Sequence, residues 1–113
     1  MHELSIATSI FDVLIAEMNQ RHLKTVAKVG LRIGALTNVD PESLRFGFEA
    51  ISAGTQLEGS ELMIEKVPIK AHCRKCGSQF EATDFVFICP NCSSSDNEVI
   101  QGQELDIVYI EGE

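Results

Sequence analysis

Residues 73–92 read CRKCGSQFEATDFVFICPNC. Two Cys-x-x-Cys pairs, Cys73/Cys76 and Cys89/Cys92, stand twelve residues apart. A two-residue gap lets one tight turn aim both sulfurs at a single ion, and zinc prefers four tetrahedral ligands, for which thiolates are well suited. Gly77, directly after Cys76, permits close backbone approach, and Pro90 stiffens the second turn. Within the spacer, residues 79–82 and 85–88 are expected to pair as a short hairpin that brings the two turns together. The arrangement is that of a zinc ribbon.

Other sulfur chemistry fits the same spacing. Two disulfides would need an oxidising compartment. A rubredoxin-like iron site uses similar pairs. Thioredoxin-type exchange needs only one pair. Four thiolates close a metal's shell, whereas a catalytic zinc keeps an open position. The metal is therefore read as structural Zn(II), held by Cys73, Cys76, Cys89 and Cys92, with His72 as a competitor for one place.

Working outward, residues 60–70 read as a strand that Pro68 ends or places at an edge. Residues 104–111 read as another strand. Further upstream, residues 25–34 alternate apolar and polar side chains up to Gly34, the pattern of a strand. Asp40-Pro41-Glu42 has the form of a helix start: N-cap, first-position proline, acidic first turn. That helix should run from about Pro41 to Ala53, with Leu44, Phe48 and Ile51 on one face. Residues 4–18 form an amphipathic helix pattern through Leu4, Ala7, Phe11, Leu14 and Met18. The expected fold is α+β: two helices on a three-stranded, mainly antiparallel sheet, with an inserted zinc-ribbon lobe. Residues 1–70 plus 101–113 make the α+β domain, and 71–100 the inserted zinc-binding domain.

Composition narrows the function. The 113 residues suit one domain with a small insertion, and 44% apolar and 23% charged residues are ordinary globular usage. The formal net charge of -8 repels phosphate backbones, so no nucleic acid is expected as a partner. The start lacks a basic n-region, and no apolar run is long enough to span a membrane. A cytoplasmic protein with reduced cysteines is expected. No nucleophile–base arrangement or phosphate loop is visible, so no enzyme is expected.

The chain begins Met1-His2-Glu3. A histidine near a terminus is ordinarily a surface residue. Here, however, the Met1 amine, the His2 imidazole and nearby backbone nitrogens can converge on one metal, and planar nitrogen ligation suits nickel(II) or copper(II). The first helical N–H groups lack intrahelical partners. The helix dipole disfavours a cation there, which Glu3 and deprotonated amides would offset.

Taken together, the chain resembles the HypA/HybF family of hydrogenase nickel-incorporation proteins. The resemblance rests on the Met1-His2-Glu3 start, the strand ending Leu31-Arg32-Ile33-Gly34, the stretch Leu44-Arg45-Phe46-Gly47-Phe48, and the inserted ribbon. It implies a nickel metallochaperone that delivers Ni(II) to the NiFe-hydrogenase large subunit with a partner GTPase, HypB. Some members also serve urease maturation. It carries nickel ligation to Met1, His2 and Glu3, and zinc ligation to the four cysteines. A monomer or a homodimer is compatible with the strand residues. The competing reading is a zinc-ribbon protein-interaction module without nickel transfer.

Overall fold

In a computed structural model, residues 3–113 are described in full and His2 by its backbone. Met1 and the His2 side chain, two of the expected nickel donors, lie outside the described residues. The elements run α1 (His2–Arg21), β1 (Val26–Gly34), a 3-10 turn (Ala35–Thr37), α2 (Pro41–Ser52), β2 (Glu61–Val67), β3 (Lys70–Cys73), β4 (Gln79–Glu81), β5 (Asn97–Gln101) and β6 (Leu105–Gly112). They form two compact units. One comprises residues 1–31, 39–65 and 106–113, the other 32–38 and 66–105.

The first unit holds both helices. Ala7, Ile10, Leu14 and Met18 of α1 are buried at three- and four-residue spacing, as an amphipathic helix requires. α2 buries Leu44, Gly47 and Phe48. The helices meet at Gly47, where an added Cβ would lie 3.6 Å from both the Ala7 Cβ and Leu4. Asp40 caps α2 as expected: its carboxylate accepts from the Glu42 N–H at 3.4 Å and from the Ser43 hydroxyl at 2.7 Å. Val29 and Leu31 of β1 complete the buried set, both at most 2% exposed.

The sheet order is β2-β1-β6. The Thr25 N–H donates to the Glu113 carbonyl and the Gly34 N–H to the Glu104 carbonyl, so β1 and β6 run antiparallel. The Ser60 hydroxyl, just before β2, donates to the Val26 carbonyl at 2.6 Å. β1 and β2 therefore start at the same end, and α2 is the crossover such a parallel pair needs. This pair is the exception in an otherwise antiparallel set.

The second unit carries a second sheet, β4-β3-β5. β3 pairs antiparallel with β4, Ala71 opposite Phe80, and with β5, Ala71 opposite Val99. This differs from the expected hairpin between 79–82 and 85–88. Residues 79–81 do form a strand, but their partner is β3, and 85–88 are not a strand. Asp84 and Phe85 both adopt left-handed backbone, φ 53° and 59°, which breaks the extended run. Phe85, Val86 and Ile88 are left exposed.

The two cysteine turns are built alike. The Cys73 N–H donates to the Ser78 carbonyl, and the Gly77 N–H returns to the Cys73 carbonyl. The Cys89 N–H donates to the Ser94 carbonyl, and the Ser93 N–H to the Cys89 carbonyl, all four bonds at 2.8–2.9 Å. Gly77 and Ser93 hold the same place and the same left-handed conformation, φ 81° and 63°. Nothing lies within 4 Å of a Cβ added at Gly77, so substitution there tests backbone conformation alone. Gly77→Ala should destabilise the metal-saturated chain by ~1–2 kcal/mol, the cost of an L residue in the left-handed region. Ser93→Gly should stabilise it by ~0.5–1 kcal/mol, that relief less the entropy cost of glycine. Denaturant unfolding followed by circular dichroism reads both shifts.

Candidate metal centre

β3 delivers the first sulfur. Cys73 ends that strand and is fully buried, and Cys89 opens the second turn at 1% exposed. Each buried cysteine is followed three residues later by a more accessible one: Cys76 is exposed and Cys92 intermediate. All four are free thiols, and their sulfurs lie within 4.8 Å of one another. The Cys73–Cys92 and Cys76–Cys89 sulfur pairs are 3.5 Å and 3.6 Å apart. A tetrahedral ion with sulfur arms of about 2.3 Å needs edges of about 3.8 Å. The donor set therefore fits a four-coordinate ion of zinc size.

The surroundings favour thiolates at part of the cluster. The Cys76 N–H donates to the Cys73 sulfur at 3.4 Å, and the Asn91 amide to the Cys76 sulfur at 3.6 Å. The Ser78 side chain and N–H, then the Asn91 amide, hold the Cys76 thiol down to about 5. The Cys76 N–H likewise lowers the Cys73 thiol. At Cys92 the Ser94 N–H pulls downward, but burial and the neighbouring Cys73, Cys76 and Cys89 sulfurs outweigh it and push the thiol up to about 12. Negative charge on some of these sulfurs forces a proton onto another. A divalent cation at the centre removes that conflict, because all four can then ionise together.

The turns are braced from outside. Arg74 pairs with Asp96 at 3.1 Å and donates to the Asn97 carbonyl at 3.2 Å. The Asn97 amide donates to the Phe87 carbonyl at 2.6 Å and to the Ser94 carbonyl at 3.3 Å. Asn97 thus ties the segment before the second turn to β5. Sequence reading had no signal for this, because the partners are ten residues apart in a stretch without regular periodicity. His72 lies on β3, half-buried, and falls outside the sulfur cluster. His22 takes a left-handed conformation, φ 59°, at the end of α1, where the Leu23 N–H closes on the Met18 carbonyl.

Of the expected nickel donors, Glu3 is described. Its carboxylate accepts from the Asp40 N–H at 3.4 Å, so the first turn of α1 lies beside the cap of α2. Among the described residues, the four cysteines are the one group of metal-ligating side chains found together. No described helix is long and apolar enough to cross a membrane.

Comparison with known proteins places this architecture. Residues 1–112 match the family described as "Hydrogenase/urease nickel incorporation, metallochaperone, hypA". A relative named hydrogenase maturation factor HypA, from Desulfitobacterium hafniense, is 39% identical over 113 residues, covering all of this chain and 99% of its own. One of the same name from Acidithiobacillus ferrooxidans is 41% identical over the full length of both. In fold, the chain is similar to the solution structure of the Ni metallochaperone HypA from Helicobacter pylori, with a TM-score of 0.67 at 20% identity and coverage of 99% and 97%. A second HypA solution structure gives a TM-score of 0.72 at the same identity, with coverage of 99% and 96%. With a family match along almost its whole length and relatives near 40% identity, the chain belongs to the HypA family of nickel-incorporation metallochaperones, the hydrogenase maturation factors.

Proposed function

We propose that this chain is a two-metal protein: it binds Ni(II) at Met1, His2 and Glu3 for delivery, and keeps Zn(II) at Cys73, Cys76, Cys89 and Cys92. The nickel goes to the NiFe-hydrogenase large subunit with the partner GTPase HypB, in the cytoplasm. Urease maturation proteins are a second class of recipient. Residues 1–70 with 101–113 form the nickel-binding domain in this reading, and residues 71–100 the inserted zinc-binding domain. The observation that carries the reading is the family match along almost the whole length of a chain that begins Met1-His2-Glu3.

The division of labour follows from the donors. Four sulfurs fill a tetrahedral shell and leave no place for a fifth group, which suits a metal that stays. An amine, an imidazole and backbone nitrogens form a harder set that selects nickel(II) or copper(II) over a sulfur-loving ion. A site at the very end of a chain has an open side. A recipient's ligand can enter there before the donor nitrogens leave, so transfer needs ligand exchange alone and no bond-making catalysis. Glu3 serves twice in this reading. Its backbone nitrogen is a donor, and its carboxylate offsets the unfavourable helix dipole felt by a cation at this end.

The reading has two tests. His2→Ala, and separately one extra residue ahead of Met1, should abolish nickel binding in calorimetry while zinc content and melting stay unchanged. Normal nickel binding by both variants would overturn the assignment of nickel to Met1, His2 and Glu3, whereas no nickel uptake by the parent chain would leave the zinc-ribbon interaction module. The second test concerns protons. The Cys92 thiol sits at about 12 and is protonated at pH 7, while Cys76 at about 5 is already ionised. Zinc uptake at pH 7 should therefore release protons, and apparent affinity should fall as pH falls. Titration in buffers of different ionisation enthalpy reads the release. Uptake without proton release would contradict the four-thiolate site.

A further inference from the structure

The net charge of the chain sits in one unit. The second unit contains five acidic and five basic residues. The first contains twelve Asp and Glu against four Lys and Arg, which accounts for the whole formal charge of -8. Within that unit the outward face of α2 is unusual. Phe46 is 74% exposed, more than any other large apolar residue described. At helical spacing it is neighboured by Glu42, Glu49 and Ala50, all exposed. A lone exposed apolar residue is ordinary, but this one stands beside a second feature.

A cavity of about 550 Å³ runs alongside α2 to the start of β2. Glu49, Glu58 and Glu61 line it, with Arg45, Ser52 and Leu62. Arg45, the one cation in that lining, pairs with Glu42 at 2.6 Å, outside the lining, and donates to the Leu62 carbonyl at 3.4 Å within it. No ion pair reaches Glu49, Glu58 or Glu61 among the described residues, although Glu58 accepts from the Gly54 N–H at 2.7 Å. Ser52 is 3% exposed, and its hydroxyl has no hydrogen-bond partner. A buried, unsatisfied hydroxyl costs stability unless something completes it. The groove thus combines unneutralised carboxylates, an orphan hydroxyl and an adjacent apolar anchor.

We propose that the outer face of α2 and this groove dock a basic, amphipathic segment of a partner protein. A Lys or Arg side chain enters between Glu49, Glu58 and Glu61, and apolar residues of the same segment cover Phe46. Charge complementarity selects this occupant: a unit with a threefold excess of acid over base repels nucleic acid and anionic lipid surfaces but attracts a cationic protein surface. The surface does not depend on which metal the chain carries, so its failure would leave the nickel and zinc assignments untouched.

The probe is a synthetic amphipathic Lys/Leu peptide of roughly four helical turns, titrated into the zinc-loaded full chain by NMR and calorimetry. The expected result is shift changes concentrated in residues 42–62. Phe46→Ser, and a Glu49→Gln/Glu58→Gln/Glu61→Gln variant, should each weaken binding by at least about tenfold, as anchor residues do. Raising salt from about 50 to about 300 mM should weaken it further, and a Glu/Leu peptide should not bind. Both variants lie on the surface, and unchanged melting confirms their folds. The proposal is overturned by shifts that map to the second unit or to β6. It is equally overturned if Phe46→Ser binds like the parent, since charge alone would then explain the contact. Self-association that Phe46→Ser abolishes would assign the face to a second copy instead.

Discussion

The meeting of four sulfurs within 4.8 Å is the constraint on which the second unit depends. Its own three strands, β3 to β5, are three to five residues long, and beside Ile33, Val67 and Ile69 it buries mainly small residues such as Ala71, Ala82, Cys73 and Cys89. Modules of this size ordinarily need a staple beside their apolar core. Two mirrored turns bring the sulfurs together, but they bring incompatible charges with them. Hydrogen bonds ionise Cys76 and lower Cys73, while crowding keeps a proton on Cys92. A divalent ion held by all four sulfurs would resolve the crowding and crosslink β3 to the segment ahead of β5, which would couple metal binding to folding.

The first unit is organised differently. It is held by ordinary apolar packing, with Leu14, Met18, Val29, Leu31, Leu44 and Phe48 almost wholly buried. A parallel β1–α2–β2 crossover and an antiparallel β6 close the sheet around that packing. In the proposed function, this packing would support the nickel site at the start of α1. The acidic surplus of this unit fits the same role, since it attracts cations and basic protein surfaces alike. In the proposed function, the ion that stays and the ion that is delivered would occupy different units.

Much of this was legible in the residues, for reasons that can be named. Paired cysteines at two-residue spacing leave a turn few choices, and the structure brings all four together. Asp40-Pro41-Glu42 carries three independent helix-start signals, and α2 begins there. In β1, the central strand, Val29, Leu31 and Ile33 are buried at alternate positions as their pattern suggests, whereas Val26 is buried and Ala27 exposed, against it. The second sheet was not legible. Asn97–Gln101 reads NEVIQ, too short and too mixed to show a period, and its partner β3 lies more than twenty residues away. Residues 85–88 misled in the opposite direction. Their apolar run has the composition of a strand, but nothing in Asp84 or Phe85 announces the left-handed backbone that ends it. Glu3 was legible as a charge near a helix start, while its bond to Asp40 depends on helix packing that no local pattern encodes.

The central claim is that two metals occupy two chemically distinct donor sets. X-ray absorption at both the zinc and nickel edges, on untagged chain loaded with each metal, tests it most directly. The account predicts one zinc per chain with a shell of four sulfurs, and one nickel with nitrogen neighbours and no sulfur. Nickel found in a sulfur shell, or zinc with fewer than four sulfurs in the nickel-loaded protein, would contradict it.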